Sequence, residues 1–328
     1  MLSYYVCEKS DGVRYLLYST SDDQNQEAHY LIDRKNDYWY ISQSQLHIPT
    51  PADEQGFHTN TITDGELVWD VLDSGEREPR FLIFDCLVND GVSLMDKTLD
   101  KRLGQVKANI FDPYNTLFKK YPDERQYQAF FLEMKPFQLA YGIEMMFKEI
   151  LPKLKHGNDG LIFTCRNTPY KHGTDPHILK WKPPEENTMD CRLRLYFPTV
   201  APDEDERADG ITEPFVDYDS VPRAEIWIFT GDSGPDKYEY FDSVLITEDE
   251  WEVLKGLGDP LNDRIVECNQ DEHGRWRIMR FRDDKLEANH KSTVISVLDS
   301  IKDRISYADL VKAAPRIRDS WKARAARK

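Results

Sequence analysis

Lys9, Asp11, Gly12 and Arg14 form the pattern Lys-x-Asp-Gly-x-Arg between two apolar, strand-like runs. A lysine amine attacks phosphorus or carbonyl carbon only when uncharged, a state favoured by burial or by neighbouring cations. Asp-Gly is a strong hairpin signal. A hairpin at Asp11-Gly12 is expected to bring Lys9 and Arg14 together against one ligand. Four fixed positions of this kind match by chance roughly once in 50,000 placements. By itself the stretch also suits an ordinary hairpin with exposed flanking charges. Lys180 and Lys182 stand i, i+2 with Trp181 between them. On a strand both face one side and can gather phosphate charge.

These residues need elements to hold them. Residues 3–8, 13–20, 28–33, 38–42, 62–70 and 80–90 are rich in Tyr, Val, Ile, Leu and Phe and are expected to be strands. Helical apolar spacing covers 99–110 and 137–151, and strands resume at 127–134, 159–165 and 177–182. The mixture predicts an α+β domain built on antiparallel sheets. Pro183-Pro184-Glu185-Glu186-Asn187 marks a boundary, placing domain one at 1–186 and domain two at 187–291. Beyond it come short strands at 191–198, 224–230, 238–246, 264–269 and 275–282. A helix at 248–257 opens on the capping-box pattern Thr247-x-x-Glu250. Five strands and one helix is the count of an OB-fold β-barrel. A further helical segment starts at Ser292 with Val294, Ile295, Val297, Leu298, Ile301 and Ile305.

Length and charge narrow the possibilities. The 328 residues have room for two domains. The net charge of −16 argues against a broad electrostatic coating of nucleic acid, so any RNA contact should be local. Eight acidic residues fall between Asp203 and Asp219, expected as a solvated loop. The last seventeen residues carry Lys312, Arg316, Arg318, Lys322, Arg324, Arg327 and Lys328, a solvated helix face or a contact for RNA or a partner. Cys7, Cys86, Cys165, Cys191 and Cys268 show no C-x-x-C spacing, so neither a metal cluster nor a disulfide framework is expected. No segment approaches eighteen apolar residues and the N-terminus has no secretory pattern, so no membrane span or secretion is expected.

The Lys9–Arg14 pattern resembles motif I of the covalent nucleotidyltransferases, which comprise mRNA capping guanylyltransferases and ATP- or NAD-dependent polynucleotide ligases. Five further motifs of that superfamily follow in order. Asp64-Gly65-Glu66-Leu67-Val68 resembles motif III, Phe81-Leu82-Ile83-Phe84-Asp85-Cys86-Leu87 motif IIIa, and Asp159-Gly160-Leu161-Ile162-Phe163 motif IV. Leu179-Lys180-Trp181-Lys182-Pro183 resembles motif V, and Arg282-Asp283-Asp284-Lys285 motif VI. Pro169-Tyr170, Gly173-Thr174, and Trp181 followed by Pro184-Glu185-Glu186-Asn187 are similar to eukaryotic capping guanylyltransferases rather than ligases. The context of motif I resembles the fungal branch, in which the triphosphatase is a separate polypeptide.

The resemblance implies a nucleotidyltransferase domain, an OB domain, and a C-terminal segment (292–328) packing back on the first. It implies that Lys9 takes GMP from GTP as a phosphoramidate and passes it to a 5′-diphosphate RNA end. Lys180 and Lys182 then serve the α-phosphate, their field favouring a neutral Lys9. Arg14 holds ribose or phosphate, and Glu66 and Asp159 reach a divalent metal (Mg²⁺ or Mn²⁺) or the ribose. Phe84 and Ile162 sandwich guanine, both also suiting a strand core. Asp85 orients a neighbour in the nucleotide site. Arg282, Asp284 and Lys285 meet pyrophosphate as the OB domain closes. The implied partners are a triphosphatase subunit and the phosphorylated tail of RNA polymerase II, and the implied location is the nucleus. Relatives carry several dozen residues before the lysine, against eight here, in a segment that bears on substrate affinity. Met189-Asp190-Cys191 stands where an Asp-Phe pair is expected. The rival readings are an ATP-dependent ligase and a docking module without chemistry.

Overall fold

The computed structural model describes residues 3–231 and 237–326. The chain divides into two compact units, Met1–Lys182 with Tyr307–Lys328, and Pro183–Ser306. In the first unit the strands are β1 (Tyr4–Ser10), β2 (Val13–Ser21), β3 (Glu27–Ile32), β4 (Tyr38–Ser42), β5 (Thr61–Val71), β6 (Arg77–Asn89), β7 (Val92–Ser93), β8 (Phe131–Met134), β9 (Gln138–Leu139), β10 (Asn158–Cys165) and β11 (Ile178–Trp181). They build a seven-stranded sheet, β4-β3-β2-β5-β6-β7 with β8 beside β6, and a four-stranded sheet, β11-β10-β1-β9.

β1 and β2 lie in different sheets, so Asp11-Gly12 is a crossing and not the expected hairpin. The Asp11 N–H donates to the Gly157 carbonyl at 2.9 Å. A Cβ on Gly12 would lie 2.6 Å from the Leu67 carbonyl and 2.7 Å from Val68. The glycine is there for close approach to β5, which the dipeptide does not reveal.

Helices α1 (Leu99–Gln105) and α2 (Asp112–Lys120) are joined by the wide-turn stretch Val106–Phe111. Helix α3 (Ile143–Met145) runs on through another, Met146–Ile150. Pro113 and Pro152 each follow within two residues of these stretches, where a missing N–H breaks the regular ladder. Gln138–Leu139 is not helical as its spacing suggests, because it pairs with Tyr5 and Val6 as the edge of the small sheet. Val106, Ile110, Tyr114, Leu117 and Phe118 pack on Leu17, Leu31, Ile41, Phe81 and Ile83 of the large sheet. Ile143 and Met146 pack on Val6 and Leu161 of the small one. Strand alternation turns the remaining residues of both sheets the other way.

The second unit holds β12 (Met189–Tyr196), β13 (Thr199–Val200), α4 (Glu204–Ala208), β14 (Phe215–Val216), β15 (Arg223–Phe229), β16 (Tyr238–Val244), α5 (Glu248–Lys255), β17 (Ile265–Gln270), β18 (Trp276–Phe281) and α6 (Lys291–Asp303). Five of these strands close into a barrel, β12-β15-β16-β18-β17, around Cys191, Leu193, Ile226, Val266, Cys268 and Trp276. Closure leaves no unpaired edge. At the start of α5 the Thr247 N–H donates to Glu250 at 2.8 Å and the Glu250 N–H to Thr247 Oγ1 at 3.3 Å. The acidic run was expected to be a loop, yet it contains α4, because Asp203 and Glu206 form the same reciprocal cap, both bonds 2.8 Å.

The segment 292–328 was expected to return to the first domain whole, but it divides. Val294, with Val297, Leu298 and Ile301, keeps α6 on the barrel. Arg304, at φ 45°, ends that helix in the left-handed conformation. Only α7 (Tyr307–Ala325) joins the first unit, packing Leu310, Val311, Ala314 and Ile317 on the Val6–Leu161 cluster. Lys312, Arg316, Arg318 and Lys322 of the basic tail are exposed, and Arg327 and Lys328 lie outside the described residues. All five cysteines are free and buried. Among the described residues no helix is long and apolar enough to cross a membrane.

Candidate active site

Lys9 is the last residue but one of β1 and sits at a β-bulge. Glu8 pairs with Leu161 but Ser10 pairs with Asn158, so β10 carries one residue more than β1 across this span. Gly160 takes up the irregularity at φ +141°, and a Cβ there would lie 2.0 Å from the Trp181 carbonyl. The bulge re-aims Asp159 at the lysine: Lys9 Nζ donates to its two carboxylate oxygens at 2.6 and 2.8 Å. Lys182 Nζ closes on the same carboxylate at 2.5 Å. Burial alone would raise the Asp159 pKa, but hydrogen bonds from Lys182 and Lys9 outweigh it and hold the carboxyl below its usual range.

Lys180 shares a cross-strand row with Ile162 and Cys7. Trp181, on the opposite face, packs edge-on to Phe147 at 5.5 Å. Alternation thus explains Lys-Trp-Lys: two cations to one side, one anchor to the core. The Lys180 ammonium is pushed below the ordinary lysine value, first by partial desolvation and then by Lys9, Arg34 and Arg14. Lys9 and Lys180 come from the small sheet, Arg14 from the large one and Arg34 from the turn between β3 and β4, so the fields of both sheets meet at Lys180.

On the large sheet Arg14 is gripped bidentately by buried Asp64, Nε–Oδ1 2.8 Å and Nη2–Oδ2 2.5 Å. The Tyr170 hydroxyl donates to the same carboxylate at 2.9 Å and accepts from Arg14 at 3.1 Å. Asp64 pairs with Asp85 while Gly65 pairs with Ile83, leaving Phe84 as the unopposed residue of a second bulge. Phe84 is half-buried, its ring centre 5.8 Å from the Arg14 guanidinium and 5.6 Å from Lys135 Nζ. Glu66 accepts from Ser10 Oγ and from the buried Lys135 ammonium, the latter at 2.9 Å.

Asp85 directs both oxygens at Arg102, at 2.6 and 2.9 Å, so it holds a neighbour in place. Burial raises its pKa against the pull of Arg102. Arg102 also donates to the Thr168 carbonyl at 3.2 Å and stacks over Tyr170 at 5.8 Å. A chain of contacts therefore runs from Asp85 through Arg102 and Tyr170 to Asp64 and Arg14.

Arg282, Asp284 and Lys285 belong to the second unit and have partners there. Arg282 donates to Asp284 at 2.9 and 2.8 Å and to buried Asp190 at 3.0 Å, and Lys285 pairs with Asp190 at 3.2 Å. The hydrogen bonds from Arg282 draw the Asp284 pKa down to about 2. Asp190, in the stretch that departs from the family pattern, anchors this cluster.

Sequence reasoning missed Ser10, Asp64, Tyr170, Arg102 and Lys135 as contributors. The first three lie inside stretches already singled out. Arg102 leaves a trace, a cation on the apolar stripe of Leu99, Val106 and Ile110. Lys135 has only a weak one, a lysine closing an apolar strand before Pro136. Among the described residues no three His, Cys, Asp or Glu side chains gather so as to hold a metal ion.

The mRNA capping enzyme catalytic-domain profile matches residues 1–184 and the C-terminal-domain profile of that enzyme matches 186–311. An mRNA-capping enzyme subunit alpha from Neurospora crassa is 58% identical, over 98% of this chain and 82% of its own. Proteins of the same name from Schizosaccharomyces pombe and Saccharomyces cerevisiae are 42% and 35% identical, over 97% and 98% of this chain and 76% of each relative. With both profiles matched end to end along two units that carry the ordered motifs, the chain belongs to the mRNA capping enzyme family.

Proposed function

We propose that the chain is a GTP:RNA guanylyltransferase working through a covalent lysyl-GMP. The observation that carries this reading is Lys9 aimed by Asp159 within a cluster of Lys182, Lys180 and Arg14. In the first step the Lys9 amine, its proton gone, attacks the α-phosphorus of GTP. The P–O bond to pyrophosphate breaks as the P–N bond forms. In the second, a terminal oxygen of a 5′-diphosphate RNA attacks that phosphorus, the P–N bond breaks, and the amine is protonated again. Asp159, a weak base, orients the amine, while Lys180 and Lys182 meet the charge on the transferred phosphoryl. Arg14, fixed by Asp64, holds ribose or phosphate. Phe84 and Ile162 take the faces of guanine. Arg282 and Lys285 are cations suited to pyrophosphate.

A divalent ion fits this donor set in one way. Glu66 and Asp159 offer hard carboxylate oxygens, too few for an all-protein cage but enough for Mg²⁺ or Mn²⁺ sharing its remaining ligands with phosphates and water. Bound there, it would offset phosphate charge. The name of the relatives, subunit alpha, supports a second subunit, which we assign as an RNA 5′-triphosphatase. Recruitment by the phosphorylated tail of RNA polymerase II in the nucleus completes the reading.

Incubating the chain with α-labelled GTP or ATP and Mg²⁺ or Mn²⁺, then denaturing it, tests the reading. A GMP adduct that disappears in Lys9→Ala is expected. An AMP adduct would move the chain to the ligases, and no adduct with either nucleotide would make it a docking module.

A further inference from the structure

Tyr18, Tyr30, Tyr38 and Tyr40 make a continuous aromatic surface on the large sheet. Tyr18 pairs across strands with Tyr30, and Tyr30 with Tyr40. Their ring centres are 6.4 and 5.5 Å apart, and Tyr38 meets Tyr30 edge-on at 6.3 Å. The outer two rings are open to solvent, Tyr38 at 63% and Tyr40 at 55% exposure. Single exposed aromatics are ordinary, whereas contiguous exposed apolar patches are where interaction sites are found.

The register says which face this is. Arg14 pairs with Glu66, Leu16 with Asp64 and Tyr18 with Ile62. Period-two alternation puts Arg14, Leu16 and Tyr18 on one face, so the tyrosines continue the face that carries Arg14, Asp64 and Glu66. Along β2 the distance from Arg14 to Tyr18 is roughly 13 Å, the reach of a few nucleotides.

The charge around it favours a nucleic acid here over the barrel. Of the 59 acidic residues 30, and of the 43 basic residues 15, lie in Pro183–Ser306, so that unit carries −15 and the rest of the chain −1. The turn between Tyr30 and Tyr38 exposes Arg34 and Lys35 together with Asp37. Asp33 is occupied by the turn itself, accepting from the N–H groups of Lys35 and Asp37 at 2.7 and 2.9 Å.

We propose that this tyrosine surface is a stacking platform for the bases of the single-stranded RNA acceptor just behind its 5′ end. The proposal rests on the guanylyltransferase reading. Bases of any sequence stack on aromatic faces, which suits an enzyme that must accept every transcript. It acts in the second step only, where RNA is a substrate.

The full-length chain separates the two steps. Adduct formation with labelled GTP reads the first. Transfer to a 5′-diphosphate dinucleotide and to a 5′-diphosphate RNA of about ten nucleotides reads the second. In a Tyr38→Ala/Tyr40→Ala variant, KM for the longer RNA should rise about tenfold. Adduct formation and KM for the dinucleotide should stay unchanged. The Tyr38→Phe/Tyr40→Phe variant keeps the ring faces and should keep the wild-type KM. A normal adduct with unchanged KM for the longer RNA in the alanine variant overturns the platform alone. So does an equal loss on both lengths, or a loss confined to binding of a phosphorylated polymerase-tail peptide. Absence of any adduct in the wild-type chain overturns the guanylyltransferase reading first.

Discussion

Glu8, the neighbour of Lys9, is buried with neither carboxylate oxygen hydrogen-bonded. Burial raises its pKa further than Lys135 and His156 can draw it down. A carboxyl raised in the folded state favours folding fully below its unfolded pKa of about 4.3 and loses that contribution as pH rises through the folded value. Glu8→Gln should therefore melt higher than wild type at pH 8, with the gap narrowing toward pH 5. A gap that widens on acidification would show that the charge is stabilised after all. Asp64 has a different role, fixing Arg14 through a two-pronged bond. Asp64→Asn weakens that grip and, since bonds to charged groups are worth about 1.5–3 kcal/mol, should raise KM for GTP about tenfold and lower the melting temperature by a few degrees. An unchanged KM would make Asp64 purely structural. At this scale the sequence was legible where chemistry imposes residue types at short spacing, as in Lys9 to Arg14. It was opaque for Lys135 and Arg102, whose partners Glu66 and Asp85 are chosen by tertiary packing.

The elements add register to residue type. Two bulges, one passing through Gly160 and one leaving Phe84 unopposed, turn Asp159 toward Lys9 and set Phe84 beside Arg14 and Lys135. Gly160→Ala would meet the Trp181 carbonyl at 2.0 Å and impose a backbone conformation that costs about 1–3 kcal/mol. Denaturant unfolding should show at least that loss, and the adduct should fall with it because Asp159 swings away from Lys9. Full labelling by a destabilised variant would detach the bulge from the chemistry. The strands themselves were readable, since β-branched and aromatic runs bounded by turn residues specify them. Bulges were not, because each depends on how two distant strands align. Asp11-Gly12 was misread for the same reason: a dipeptide that favours a hairpin serves as a crossing when each flanking strand has a better partner. The division of 292–328 was hidden too, since both halves carry apolar stripes and only the surfaces they meet tell them apart.

For the whole molecule, the uneven charge shapes the encounter with RNA. A protein that held RNA through six to ten phosphates would lose about 10³–10⁵ in affinity between 50 and 200 mM salt. With −15 on one unit and −1 on the other, this chain should show a shallow dependence, KM for RNA rising less than about tenfold over that range. A steep slope would require a phosphate track that the charge distribution does not offer. Two domains could be read from length and from the change of texture near Pro183, while the segregation of charge emerges once the units are drawn. The five buried cysteines have their own consequence. Cys7 stands two residues from Lys9, and burial pushes its thiol, like that of Cys86, up to about 12. Sulfur is ordinarily the more reactive atom toward electrophiles and oxidants, yet only as thiolate. Kept in the protonated form, the Cys7 and Cys86 sulfurs are poor nucleophiles, and with all five thiols buried the protein should tolerate alkylating agents and peroxide that disable enzymes with an exposed thiol.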